Sequence, residues 1–258
     1  MIIENLGVGA RCAEAMRLFV AGADRKAFPE SIKRVVLLPI PTSRDKVHLS
    51  GTDKLLCEVF GEIREGDLVA GYGIDEAAKT KMRACGAIVY DALEDEAFLA
   101  ENAHQTALGA LGYILSNIDT VPSDTDFAVI GYGRIGSQIV RMLLFLGGRV
   151  EVFSTSKTTC LALGECGVSV RLIDRSAPLV KTDASVIINT APTDLSASFA
   201  SGKLPSGVRV IELASGENFA KISGIERLPG IPDKYYAKSA GRAYYNSIIN
   251  YMSEVTKK

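Results

Sequence analysis

Residues 126–153 constrain this chain more than any other stretch. Asp126-Phe127-Ala128-Val129-Ile130 is a short apolar run that reads as a buried strand. It passes without a spacer into Gly131-Tyr132-Gly133-Arg134-Ile135-Gly136, and residues 137–146 then carry helical apolar spacing before a second strand at 149–153. A G-x-G-x-x-G between strand and helix is a dinucleotide-binding fingerprint when it has this context. Gly131 permits the tight turn, Gly133 leaves out a Cβ that would block a pyrophosphate, and Gly136 lets the helix pack close to the strand. The first amides of the helix, from Arg134 and Ile135 onward, then face the diphosphate.

The end of the second strand bears on cofactor choice. A site that prefers NAD places an Asp or Glu there to bond the ribose 2′-OH. Here the strand ends in Ser154-Thr155-Ser156-Lys157, and Glu151 lies three residues too early. Hydroxyls and a lysine suit a 2′-phosphate, so the loop favours NADP over NAD. Asn189-Thr190-Ala191-Pro192 ends a later strand, where Thr190 and Pro192 would line the nicotinamide side. Glu212-Leu213-Ala214-Ser215 ends the next and points into the same crevice.

The rest of the chain repeats the strand–helix alternation. Helical spacing over 11–21 is followed by a strand at 34–40, a helix at 54–63 and a strand at 67–71, then by a helix at 75–85 and a strand at 87–90. A long helix follows at 94–118, with Leu108, Leu111, Ile114 and Leu115 on one side. After the glycine turn come strands at 185–192 and 208–215 and a terminal helix at 240–254. The pattern is α/β, with two doubly wound parallel-sheet lobes. One is a Rossmann dinucleotide-binding domain over 106–229. The other is a substrate-side domain formed by 1–105 together with 230–258, the terminal helix returning to the N-terminal lobe.

Composition narrows the function. Lys plus Arg total 29 against 30 Asp plus Glu, a balance that argues against nucleic acid as a partner. The opening MIIENLGVGARC has no charged start followed by an apolar stretch, and no run is long enough to span a bilayer. A cytoplasmic protein without membrane contact is expected. Its five cysteines lack metal-ligand spacing and read as reduced, mostly buried thiols, with no metal site.

The two histidines, His48 and His104, both precede the glycine turn. D-2-hydroxyacid dehydrogenases resemble this layout but carry their acid–base histidine after the cofactor domain, where this chain has none. The chemistry therefore rests on cofactor placement, carboxylate binding and at most one proton relay. Arg44, in Pro41-Thr42-Ser43-Arg44-Asp45-Lys46, and Lys238, with Lys234 and Arg242 near it, are the cations suited to a small dicarboxylate. His104 is either a relay or a polar residue at the start of the linking helix.

These segments resemble the A subunit of dipicolinate synthase over most of the length. The resemblance is carried by LPIPTSRD (38–45), NAHQTALGA (102–110), VIGYGRIGSQIVR (129–141), INTAP (188–192), ELAS (212–215) and LPGIPDKYYAKSAG (228–241). It implies an oxidoreductase that aromatises a dihydrodipicolinate-type ring with a nicotinamide cofactor, usually NADP, beside a flavoprotein-like B subunit. A homo-oligomer is also expected. Within these motifs His104, Lys238 and Arg44 are the catalytic candidates, and Ser43, Arg44, Thr106, Ser215, Lys238 and Ser239 the substrate-binding ones. Departures fall on the substrate side. Gln105 stands for a Pro, Leu108 for a Glu, Ala237 for a Pro, and Ser215 runs directly into Gly216-Glu217-Asn218. MIIEN also lacks the family's glycine-rich first turn. The alternatives are a related dehydrogenase of another 2-oxo or imino acid, or a nucleotide-binding subunit with reduced catalysis.

Overall fold

The apolar run at 34–40 becomes β2 (Arg34–Leu37), a central strand whose side chains are buried on both faces after Arg34. It ends where Pro39 and Pro41 remove backbone donors. The computed structural model describes all residues except 23–27, 175, 177–179, 200–203, 217, 220–221 and 257–258. The chain divides into one unit of Met1–Asn102 with Pro232–Lys258 and a second of Ala103–Ile231.

In the first unit β1 (Ile2–Asn5), β2, β3 (Asp67–Gly71) and β4 (Ile88–Asp91) form a parallel sheet in that order. Period-2 alternation sends Val35, Leu37, Leu68 and Ala70 to one face, against α1 (Ala10–Ala21) and α7 (Ile231–Val255). Val36, Leu38, Val69 and Val89 face α2 (Leu56–Gly61) and α3 (Glu76–Ala84) on the other. α7 starts nine residues before the expected terminal helix and is kinked at Tyr236 (φ −132°, ψ 37°).

The opening segment corrects the sequence reading. It forms β1 and turns through Leu6-Gly7-Val8-Gly9 into α1, so a glycine turn is present after all. A Cβ on Gly7 would come within 2.5 Å of Cys12 Sγ, and one on Gly9 within 2.9 Å of Asp233 Oδ1. Asp233 accepts a hydrogen bond from the Arg11 amide at 2.7 Å, capping α1 from 222 residues away.

The second unit holds six parallel strands in the order β10-β9-β8-β5-β6-β7. They are β5 (Asp126–Ile130), β6 (Arg149–Ser154), β7 (Ser169–Leu172), β8 (Val186–Asn189), β9 (Arg209–Glu212) and β10 (Glu226–Arg227). Strand order reverses between β5 and β8, the place where open α/β sheets bind ligands. Phe127, Val129, Val186 and Ile188 pack on α4 (Glu96–Leu115) and α5 (Arg134–Phe145). Ala128, Ile130, Phe153 and Ile187 bury the opposite face against Ile173, Leu195 and Phe219. On α4 the buried stripe is Ala103, Ala107, Ala110, Leu111 and Ile114, whereas Leu108 is exposed, one residue off the stripe's spacing. Among the described residues no helix is long and apolar enough to cross a membrane. Cys12 is the buried thiol; Cys57, Cys85 and Cys166 are exposed and Cys160 is intermediate, which corrects the expectation of mostly buried cysteines.

Candidate functional site

β5 ends at Ile130, and the chain turns at Gly131 with φ +88°, a conformation that favours glycine. The Gly131 amide donates to the Phe153 carbonyl at 2.8 Å, tying the turn to β6. A Cβ on Gly131 would lie 2.9 Å from Thr190 Oγ1, and one on Gly136 would collide with the Gly131 carbonyl oxygen. Packing within the protein therefore requires these two glycines.

Gly133 differs. Its φ of −81° and ψ of −161° suit any residue, and a Cβ built there meets nothing within 4 Å among the described residues. It is the N-cap of α5 and, as glycine, offers that end no side-chain cap. Open space before helix amides that lack intrahelical acceptors is a cradle that fits a diphosphate and that a side chain would fill.

The turn after β8 braces this cradle. Thr190 Oγ1 donates to the Ile130 carbonyl at 2.9 Å and lies 3.3 Å from that of Gly131. Asn189 Oδ1 accepts from the Ala191 amide at 3.1 Å, and its Nδ2 reaches the Ala191 carbonyl at 3.0 Å. Asn189 and Glu212 are register partners on β8 and β9, and both are buried. Glu212 Oε1 also accepts from the Ala214 amide at 2.8 Å. Burial pushes the Glu212 carboxyl up, opposed by hydrogen bonds from Asn189, Ala214 and Asn218. Pro192 and Ser215 are exposed.

At the end of β6, Ser154 is buried and its Oγ accepts from the Ser156 amide at 3.1 Å. Ser156 caps α6 (Lys157–Glu165), accepting from the Thr159 amide at 3.2 Å. Thr155 and Lys157 are exposed, and the first turn of α6 holds no acid. Glu151 is engaged elsewhere, by Arg171 Nε at 2.6 Å and Thr182 Oγ1 at 3.1 Å.

The catalytic and substrate candidates are dispersed over both units. Arg44 is exposed in the turn after β2, where Ser43 Oγ donates to Asp45 at 3.2 Å and accepts from the Lys46 amide. Lys238 and Ser239 lie on α7, also in the first unit. His104, Thr106 and Ser215 belong to the second unit. His104 stands exposed within α4 rather than at its start, and Thr106 is buried. Sequence reading missed Asn218 as a site residue. It is buried, its Nδ2 donates to the Ser215 carbonyl at 3.3 Å, and it bonds Glu212. A loop separates it from Glu212, so no periodic signal marks it. Glu217, in the same stretch, lies outside the described residues.

A glycine turn at the β5/β8 reversal of a six-stranded parallel sheet defines a Rossmann-type α/β protein with a dinucleotide-binding fingerprint. No family model matches the chain. The chain is similar to the A subunit of dipicolinate synthase from Bacillus subtilis (strain 168), at 27% identity over 161 residues. That stretch is 60% of this chain and about half, 54%, of the relative. The crystal structure of the dipicolinate synthase A subunit from Bacillus halodurans matches with a TM-score of 0.73 at 21% identity, covering 97% of both chains. Its counterpart from Bacillus subtilis matches at 0.72 and 19% identity, covering 99% of this chain and 96% of that one. These two structures share the fold of this chain.

Proposed function

We propose that this chain is an NADP-dependent oxidoreductase of the dipicolinate synthase A-subunit type, which oxidises a dihydrodipicolinate-type cyclic di-acid to dipicolinate. The observation that carries the reading is the open cradle at Gly133, set at the strand-order reversal while Gly131 and Gly136 are packed. Similarity to the curated Bacillus subtilis relative supports the choice of substrate class.

The α5 amides from Arg134 to Gly136 hold the diphosphate. Ser154, Thr155, Ser156 and Lys157 receive the 2′-phosphate. Thr190 and Pro192 flank the nicotinamide side, held by the Asn189–Glu212 pair behind them. Aromatisation takes one hydride and one proton from the ring, and the nicotinamide, when bound, is the hydride acceptor. The chain's residues bind the carboxylates and accept the proton. Ser43, Arg44, Thr106, Ser215, Lys238 and Ser239 are the carboxylate ligands that the resemblance implies. His104 or Lys238 takes the proton, and Arg44 holds charge beside the ring.

A flavoprotein-like B subunit is the proposed hetero-partner, consistent with the relative's name as one component of a synthase. Self-association is supported by Phe145 on α5, 90% exposed beside the partly exposed Leu146. The proposed compartment is the cytoplasm. A related 2-oxo or imino acid is the second reading, favoured by Gln105, which is buried where the family has Pro.

The test is direct. The purified chain, with and without a candidate B subunit, is supplied with NADP plus enzymatically generated dihydrodipicolinate. Dipicolinate formation coupled to NADPH absorbance is expected. NADPH binding without turnover on any di-acid would favour the reduced-catalysis reading.

A further inference from the structure

On the first unit, α2, α3 and the turn after β2 border a cavity of about 760 Å³, within the size range of small-molecule sites. Leu56, Phe60 and Ile63 make its apolar lining, and Lys46, Arg64 and Lys81 stand around it. Asp75 is the one acid among the lining residues described. It is already committed as the N-cap of α3, accepting from the amides of Ala77 and Ala78. The three cations form no ion pair among the described residues; the Arg64 guanidinium donates to the backbone carbonyls of Gly61 and Ile63, and the Arg64 amide donates to Asp67, which lies outside the lining. An apolar cavity with three cations and one occupied carboxylate is complementary to a ligand with a greasy body and a negative head. All lining residues belong to the first unit, whereas the glycine turn belongs to the second.

We propose that this cavity binds a small amphiphilic organic anion, an apolar chain or ring bearing one carboxylate or equivalent group. The apolar body lies on Leu56, Phe60 and Ile63, and the head is held at the cationic rim. This site is separate from the dinucleotide cradle and does not depend on the proposed oxidoreductase activity.

Three exposed thiols make the test local, and Cys85 lines the cavity together with Cys57. Cys57 lines the cavity, whereas Cys166 is exposed in the second unit and serves as an internal control. The full chain is alkylated with iodoacetamide in decanoate below its micelle concentration, and each cysteine is followed by peptide mass spectrometry. Decanoate is expected to slow Cys57 alkylation at least about fivefold and leave Cys166 within about twofold. Decanol, which lacks the charge, should require about tenfold more for equal protection, and the double variant Lys46→Glu, Lys81→Glu should need about tenfold more decanoate. NADPH affinity of the double variant should be unchanged. Absence of protection, equal protection of Cys166, or equal potency of decanol and decanoate would each overturn the proposal. The decanol comparison uses the native chain, so it decides the matter even where the double variant folds poorly.

Discussion

The Asn189 side-chain amide lies 3.1 and 3.2 Å from the two carboxylate oxygens of Glu212 across neighbouring strands, and both side chains are almost wholly buried. This pair ties the turn after β8 to the turn after β9. Thr190, the next residue, braces the glycine turn. A buried carboxylate at this position links the geometry of the cradle to pH.

Because burial raises the Glu212 pKa, the folded chain keeps a proton there to higher pH than the unfolded chain does. The stabilisation is therefore complete below the unfolded value, about 4.3, and is lost as pH rises through the raised folded value. The native chain should be most favoured over Glu212→Gln at acid pH, with its advantage shrinking toward neutrality. Thermal melts of both proteins from pH 4 to 8 check this; an advantage that grows with pH would contradict it.

The glycines separate binding from folding. Gly133→Val should abolish NADPH binding, since its side chain fills the cradle, while shifting the melt by no more than about 3 °C. Gly136→Ala should cost about 2 kcal/mol or more through collision with the Gly131 carbonyl, lowering the melt by roughly 4–8 °C. NADPH fluorescence titration beside calorimetry distinguishes the two. Unchanged affinity in Gly133→Val would remove the cradle argument.

Cofactor choice is tested at the end of β6. The native chain should bind NADP about tenfold or more tightly than NAD, the worth of one hydrogen bond to a charged group. Ser154→Asp should reverse the order, because a carboxylate accepts from a ribose hydroxyl and repels a phosphate. Lys157→Ala should weaken NADP alone. Competitive titration with both dinucleotides measures each case; tighter NAD binding by the native chain would show that this loop does not read the phosphate.

Asp233 caps α1 and lies 3.5 Å from Nε of the buried Arg11, an atom with no hydrogen-bond partner among the described residues. Asp233→Ala removes the cap and leaves a buried cation uncompensated, a loss on the order of 3 kcal/mol. Asp233→Asn keeps an acceptor for the Arg11 amide and should fall between the two. Chemical denaturation of the three proteins tests this ranking, and equal stability of the Ala and Asn variants would show that the cap contributes nothing beyond the charge.

Most strands and helices of both units follow from local patterns. The run Asp126–Ile130, the glycines at 131, 133 and 136, and the strands at 67–71 and 149–153 are short-range signals of periodicity and backbone freedom, so the Rossmann-type unit is legible residue by residue. β1, α6, β7 and β10 are not. Ile2–Asn5 and Ser169–Leu172 are edge-side segments of four residues, too short for periodicity to mark, and they become strands only by pairing with β2 and β6. Lys157–Glu165 mixes polar and apolar residues without a clear stripe and is set by its Ser156 cap. Side-chain partnerships between separate elements and loops are equally hidden. Asn189 with Glu212, Asn218 with Glu212, and Asp233 with Arg11 each join residues whose proximity depends on strand order, loop path or helix return. Composition records that a carboxylate and an amide exist. Only the folded chain brings them into hydrogen-bond range, with Glu212 buried and Asp233 half-buried, and that turns the two acids into parts that hold a turn and a helix in place.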